Sequence, residues 1–321
     1  LVKSNICDTL MPIAVIGAGS IGAAFSLIFA AAGHEVRLYE AKREQRKTVR
    51  QRISEKMLDL QQFGLLDLDV DDVLSRIHIH TEIADAVSDV DHVQECVPEN
   101  LDLKRELFAE LDELTPNRTV LASSSSAITT SEFATNLRGK NRCLVAHPAN
   151  PPYLIRVIEI VPAPFTSGDV TARTRSLMHS VGFSPILVKK EVRGFVFNRL
   201  QGAVLREAYC LVRDGVSSVE EIDILMRDGL GLRWSIVGPF ETADLNRRGG
   251  IGAHAKVMGD AYFAMGEDRG QRDPWTQDLV ATVEAERRAL LPLDKWDDRV
   301  RWRDNQLMAV IAARSHIPRD S

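Results

Sequence analysis

Three scarcities bound the chain before any motif is read. Cysteine is rare: Cys7, Cys96, Cys143 and Cys210 are the only ones in 321 residues, far apart and without a C-x-x-C pair. That argues against a disulfide framework or a thiolate metal site and fits reduced core thiols in the cytoplasm. No apolar run approaches the roughly 18 residues that span a bilayer, so no membrane helix is expected. Positive charge is not in excess, the formal net charge being −5, and there is no cationic footprint for nucleic acid. Residues 1–10 lack the basic start and long apolar core of a secretory signal and read as a short extension ahead of Met11. There is no internal repeat, and no low-complexity tract beyond the serines at 123–126. What is left is an ordinary globular composition, 45% apolar and 26% charged, at a length that suggests about two domains.

What is present starts with G-A-G-S-I-G at residues 17–22, placed after the apolar run 13–16 and at the head of a helical stretch over 21–32. In that context Gly17 permits the tight turn, Gly19 lets backbone approach a pyrophosphate, and Gly22 lets helix and strand pack closely. The N–H groups at the helix start, those of Ser20 and Ile21, and the positive dipole end then face the phosphates. A second strand over 34–39 ends on Glu40, where an acidic residue takes the adenosine ribose hydroxyls. A carboxylate there accepts from a 2′-hydroxyl and repels a 2′-phosphate, which favours NAD over NADP. Lys42 and Arg43 follow, read either as phosphate holders or as solvated charges at a helix start.

Strand and helix patterns alternate through about residue 190, the signature of a parallel sheet covered by helices. Further strands are expected at 76–80, 91–97, 119–122, 142–146, 156–161 and 184–188, and helices at 43–63 (ended by Gly64), 101–114 and 167–181. From Gly194 the strand signals vanish. Helices are expected at 195–212, 218–227, 252–265, 274–290 and 296–313, interrupted at Pro239, Gly249-Gly250 and Pro292. The expected class is α/β: a Rossmann-type doubly wound sheet over residues 1–192, followed by an all-α C-terminal domain over 193–321.

Three segments fall where open α/β sheets place their ligands, at the carboxyl ends of strands. The serines at 123–126 read either as a helix cap or as part of a site. His147, at the end of one strand, is either a structural hydrogen-bonder or a base. Glu159 on the following strand favours the second, since a carboxylate on one ring nitrogen fixes the tautomer and raises the basicity of the other. Asn198, at the start of the helical domain, is a substrate ligand or an interdomain packing residue.

Together and in this order, the stretches 92–101 (H-V-Q-E-C-V-P-E-N-L), 146–153 (A-H-P-A-N-P-P-Y), 190–200 (K-E-V-R-G-F-V-F-N-R-L) and 229–234 (G-L-G-L-R-W) resemble the L-3-hydroxyacyl-CoA dehydrogenase superfamily. Within it the resemblance is strongest to the lambda-crystallin (L-gulonate 3-dehydrogenase) branch. The resemblance implies that His147 is the catalytic base, oriented by Glu159. It removes the proton from a C3 hydroxyl while hydride passes to the nicotinamide, and Ser126 and Asn198 hydrogen-bond the oxygen that becomes a carbonyl. It further implies Glu99, Lys104 and Asn150 near the nicotinamide half of the cofactor site, a homodimer built through the C-terminal domain, and no metal.

The substrate expectation turns on charge. Acyl-CoA enzymes of this superfamily resemble one another in a lysine-rich hairpin that meets the CoA phosphates. Here residues 54–72 are net acidic with Lys56 the sole base, a poor place for a polyanion. Arg233 reads either as the clamp for a free carboxylate or as a structural ion-pair member. The expected reaction is therefore NAD-dependent oxidation of a small L-3-hydroxy acid such as L-gulonate. The alternatives are 3-hydroxybutyryl-CoA, L-carnitine, and a catalytically silent NAD-binding role. L-carnitine needs an aromatic cage that Trp234 alone does not make. The silent role is disfavoured by the joint presence of Ser126, His147, Glu159 and Asn198.

Overall fold

The computed structural model describes residues 10–62, 65–268, 276–299 and 302. The chain divides into two compact units, Leu1–Leu205 and Arg206–Ser321. The expected extension at 1–10 (apart from Leu10), the helix stop at Gly64, and most of the expected helix at 296–313 lie outside the described residues.

The first unit is an eight-stranded sheet in the order β3-β2-β1-β4-β5-β6-β7-β8 with helices on both faces. The strands are β1 (Ile13–Ile16), β2 (Val36–Tyr39), β3 (Ile77–His80), β4 (His92–Glu95), β5 (Val120–Ser123), β6 (Cys143–Pro148), β7 (Val157–Pro162) and β8 (Ser184–Leu187). Every expected strand is present. One face packs α1 (Ser20–Ala31) and α2 (Arg43–Gln62) over Val15, Val36, Leu38, Ala122 and Leu144. The other packs α5 (Leu101–Leu114) over Ile16, Val93, Leu121 and Val145. With both faces covered, central strands such as β1 and β5 are near-continuous buried runs, as expected of parallel strands buried on both sides.

The sheet is parallel as expected except at one pair, β6 and β7, which run antiparallel. The stretch between Pro148 and Val157 is too short for a crossover, which takes a dozen residues or more, so the chain has to double back. The resulting register sets His147 directly opposite Glu159. Short helices α3 (Val70–Ser75), α4 (Ile83–Val87) and α6 (Thr130–Ala134) were not expected from periodicity. Each is a turn or two, and two of them are held by caps: Asp69 accepts from Asp72 N–H ahead of α3, and Thr129 and Glu132 form a capping box at α6. The remaining helix of this sheet is α7 (Gly168–Ser180), capped by Ser167.

α8 (Phe197–Arg213) begins in the first unit and crosses the division at Leu205. The second unit continues with α9 (Val219–Ile224), α10 (Gly231–Trp234), α11 (Pro239–Leu245), α12 (Gly250–Asp268) and α13 (Gln277–Leu290). Pro239 is not the interruption expected: it sits at the first position of α11, where a missing N–H costs nothing. A π-helical segment, Leu225–Leu230, joins α9 to α10. Among the described residues of the second unit a core cluster gathers Val237, Leu245 and Leu291 beside Ile236 and Trp296. Among the described residues no helix is long and apolar enough to cross a membrane.

Candidate active site

The cofactor end is built by backbone. Gly17 has φ +101°, and a Cβ there would lie 2.9 Å from the Cys96 carbonyl oxygen; a Cβ on Gly22 would lie 1.8 Å from the Gly17 oxygen. Gly19 faces open space, with nothing within 4 Å of where its Cβ would be. It caps α1 without a side chain, so the first N–H groups of the helix, with the dipole behind them, are left to an anion. Glu40 ends β2 and is buried, with Oε2 accepting the Ala18 N–H and Oε1 the Lys42 N–H, both at 2.8 Å. Each oxygen keeps acceptor capacity for a ribose hydroxyl. Gly17, Gly19, Ile21, Glu40, Glu106 and Glu110 help line a cleft of about 670 Å³. Three carboxylates in that lining make it a poor host for a 2′-phosphate, though Lys42 also borders it. The arrangement fits NAD.

The chemistry end is built by side chains. His147 Nδ1 lies 2.8 Å from Glu159 Oε2, and both residues are buried. The other carboxylate oxygen accepts the N–H groups of Val196 (2.8 Å) and Phe197 (3.0 Å). Burial works to raise the Glu159 pKa, but the bonds from His147 and these two amides outweigh it and hold the group below the usual carboxylate range. An ionised carboxylate only accepts, so the proton sits on Nδ1 and Nε2 carries the lone pair. Among the described residues Nε2 has no hydrogen-bond partner. The ring packs beside Phe195 and Phe197, at 5.5 and 6.5 Å between centroids. Gly194 (φ +77°) and Phe195 (φ +48°) make the left-handed turn that brings α8 onto Glu159.

The serine run closes the site. Glu99 Oε1 accepts from Ser125 Oγ (2.6 Å) and from the N–H groups of Ser126 (3.1 Å), Ala127 (2.9 Å) and Ile128 (3.2 Å). Burial again pushes this carboxyl up, and the Ser125 and backbone bonds pull it below its ordinary value. Asn198 Nδ2 donates to the Ser126 carbonyl oxygen at 2.8 Å. One chain of contacts thus runs from Glu99 through Ser126 and Asn198 to the start of α8, and on through Glu159 to His147. Among the described residues the Ser126 hydroxyl and the second N–H of Asn198 have no hydrogen-bond partner.

Not every expected residue joins them. Lys104, expected beside the cofactor, is almost fully buried. Its Nζ donates to Glu95 Oε1 and Oε2 at 2.9 and 2.8 Å and to Ser123 Oγ at 3.4 Å. The physical reason is the buried stripe of α5, on which Lys104 lies with Leu107, Phe108 and Leu111. Its charge braces the ends of β4 and β5 and also helps to lower the Glu99 pKa. Asn150 is exposed in the loop after β6. Arg233 belongs to the second unit and is half-buried in α10. Its Nε and the Trp234 Nε1 are buried, with no partner among the described residues. The π segment before them needs Gly231, because a Cβ there would lie 2.6 Å from the Met226 carbonyl oxygen. Such segments recur at functional sites.

Sequence reasoning missed one buried polar group. Gln94, fully buried in β4, donates from Nε2 to Ser124 Oγ at 2.7 Å and to the Ala146 carbonyl oxygen at 3.4 Å. Its Oε1 accepts from His92 Nε2 at 3.2 Å. It therefore ties the serine run to the strand that carries His147. The signal was available: consecutive polar residues, Gln94 and Glu95, in a central strand where apolar ones are the rule. Among the described residues no three His, Cys, Asp or Glu side chains gather as a metal site requires.

Known proteins carry the same plan. The model of the 3-hydroxyacyl-CoA dehydrogenase NAD binding domain matches residues 12–192, and that of the 3-hydroxyacyl-CoA dehydrogenase C-terminal domain matches 194–291. The chain is 45% identical to lambda-crystallin of Oryctolagus cuniculus over 237 residues, 73% of this chain and 74% of that protein. It is 35% identical to L-carnitine dehydrogenase of Streptomyces coelicolor over 270 residues, 84% of this chain and 81% of that protein. Among solved structures, 5-formyl-3-hydroxy-2-methylpyridine 4-carboxylic acid 5-dehydrogenase, an NAD+-dependent dismutase, aligns with TM-score 0.72 at 26% identity, covering 92% of this chain and 99% of that one. With both domain models in register over a site of this geometry, the chain belongs to the 3-hydroxyacyl-CoA dehydrogenase family, NAD-dependent oxidoreductases that act on a CH–OH group.

Proposed function

We propose that this enzyme oxidises the C3 hydroxyl of a small L-3-hydroxy acid with a free carboxylate, L-gulonate being the first compound to test. The observation that carries the reading is the His147–Glu159 pair, one ring nitrogen tied at 2.8 Å and the other open. Bound NAD supplies the hydride acceptor. His147 Nε2 takes the hydroxyl proton, and Glu159 holds the ring and stabilises the imidazolium that forms. Ser126 and Asn198 orient the reacting oxygen, while Glu99 shapes the serine loop near the nicotinamide half and Asn150 borders it. Holding both reactants in register supplies much of the acceleration.

Two features support a free acid over acyl-CoA. The acidic stretch 54–72 has its one cation neutralised, Lys56 pairing with Asp59 at 2.9 Å. Arg233 offers a guanidinium whose Nε lacks an acceptor among the described residues, and we assign it the substrate carboxylate. The substrate and dimerisation domain begins near Val192. It forms a homodimer: α8 is amphipathic yet has no buried residue, leaving an apolar face for a second copy. High thiol pKa values, about 12 at Cys96 and Cys143 because of burial, accord with inert thiols in a cytoplasmic enzyme.

The test is kcat/KM by NADH formation on L-gulonate, 3-hydroxybutyrate, 3-hydroxybutyryl-CoA and L-carnitine. A clear preference for L-gulonate or 3-hydroxybutyrate supports the proposal, and a preference for the CoA ester or for L-carnitine overturns its substrate class. An unchanged KM in Arg233→Ala removes Arg233 from the site.

A further inference from the structure

We infer that Arg52 is a positioning residue for the pyrophosphate of the dinucleotide, acting through the peptide that joins Ala18 to Gly19. Arg52 lies on α2, half-buried, and its Nη2 donates to the Ala18 carbonyl oxygen at 2.6 Å. The N–H of the same Ala18 is held by Glu40 Oε2 at 2.8 Å. Ala18 is fully buried, so this residue of the glycine loop is gripped at both its donor and its acceptor.

The consequence follows from peptide geometry. In a trans peptide the carbonyl and the next N–H point in opposite directions. Fixing the Ala18 oxygen toward α2 therefore turns the Gly19 N–H away from α2. Gly19 is also the loop position whose missing Cβ leaves open space. The Ala18 N–H is spent on Glu40, which makes the Gly19 N–H and the first amides of α1 the donors the loop has to offer.

Charge points the same way. Other arginines of α2 are used on backbone elsewhere: Arg46 on the Glu40 and Ala41 carbonyls, Arg50 on those of Leu74 and Ile77. Arg52 has no carboxylate partner among the described residues, and its Nε is buried there without an acceptor. A guanidinium set one bond from an anion-binding loop, lacking a counter-charge, matches a ligand that brings two phosphates. Lysine preserves the charge and not the fork, so the two contributions separate by substitution.

The test is titration calorimetry of the full chain with NAD, ADP-ribose and adenosine, the last by displacement. Arg52→Met is expected to weaken ADP-ribose and NAD about tenfold, the worth of one charge-assisted hydrogen bond, with adenosine changed less than about twofold. Arg52→Lys falls between wild type and Arg52→Met. Equal weakening of adenosine and ADP-ribose overturns the inference, because Arg52 then merely supports the whole site. Unchanged ADP-ribose affinity overturns it as well, including when the substrate KM rises. Should Arg52→Met fail to fold, Arg52→Lys carries the same comparison: ADP-ribose must lose more than adenosine.

Discussion

The two units of this chain use apolar residues in opposite ways. In the first, both sheet faces are covered, and several buried polar side chains hold one another: Glu95 with Lys104, Arg142 with Asp112, Glu159 with His147. In the second, the apolar cluster is small, and Val216, Val219, Leu225 and Phe240 stand exposed. Its main buried polar anchor is Asp244, which accepts from Ile251 N–H at 2.7 Å and pairs with Arg288. The difference teaches where each unit's order comes from. Among the described residues the sheet unit buries its apolar side chains between layers, while the helical unit leaves several large apolar side chains exposed.

Substitutions can break or sharpen that contrast. The largest effect is expected at Glu159→Gln, whose amide turns a donor toward Nδ1–H and misorients the imidazole. The kcat should fall about 10²-fold, at the low end for loss of general base catalysis, while NAD affinity measured by calorimetry changes little.

Next come two glycine-to-alanine changes that look alike on paper. Gly22→Ala drives a Cβ into the Gly17 backbone and should cost on the order of 3 kcal/mol by denaturant titration. Gly252→Ala in α12 meets only the Glu284 carboxylate at 2.6 Å, a flexible side chain that can swing away. It should be neutral or stabilise by up to about 1 kcal/mol through helix propensity. Equal costs would erase the contrast between a helix start packed against the glycine loop and a tolerant helix.

Acid should reach the first unit through His92. Burial lowers its pKa from 6.5 to about 4, with the bond to Gln94 opposing and weaker. The unfolded chain then binds the extra proton between these values. Stability is full above pH 6.5 and declines as pH falls to about 4, by roughly 3 kcal/mol from this residue. Burial lowers the His34 pKa too, and it adds in the same direction. A Tm-versus-pH slope that shrinks in His92→Gln supports this; an unchanged slope contradicts it. The smallest effect separates a free surface from a covered one. Tyr209→Lys on α8, at a residue 75% exposed, should shift Tm by less than about 0.5 kcal/mol equivalent in a monomer. In the homodimer it should cost more and move the sedimenting species to half the mass.

Much of the first unit was legible because its signals are local. The glycine loop, the apolar strands and Glu40 each follow from what neighbouring residues permit. The antiparallel return was legible in principle, since the stretch between Pro148 and Val157 has no room for a helix. The burial of Lys104 was legible too, because its helical spacing with Leu107, Phe108 and Leu111 marks the core side of α5. The contact between Glu99 and the serine run joins residues 26 to 29 positions apart, and the Asn198 contact to Ser126 spans 72, which no local pattern encodes. In the second unit Pro239 read as a break because a helix start and a helix stop both tolerate proline.

The most direct measurement is the single-turnover rate of NADH formation by His147→Ala, with the hydroxy acid the wild-type enzyme turns over best. An imidazole base steered by Glu159 predicts a loss of about 10² to 10⁴-fold with NAD still bound. A rate within threefold of wild type would contradict the assignment and leave the His147–Glu159 pair a structural contact.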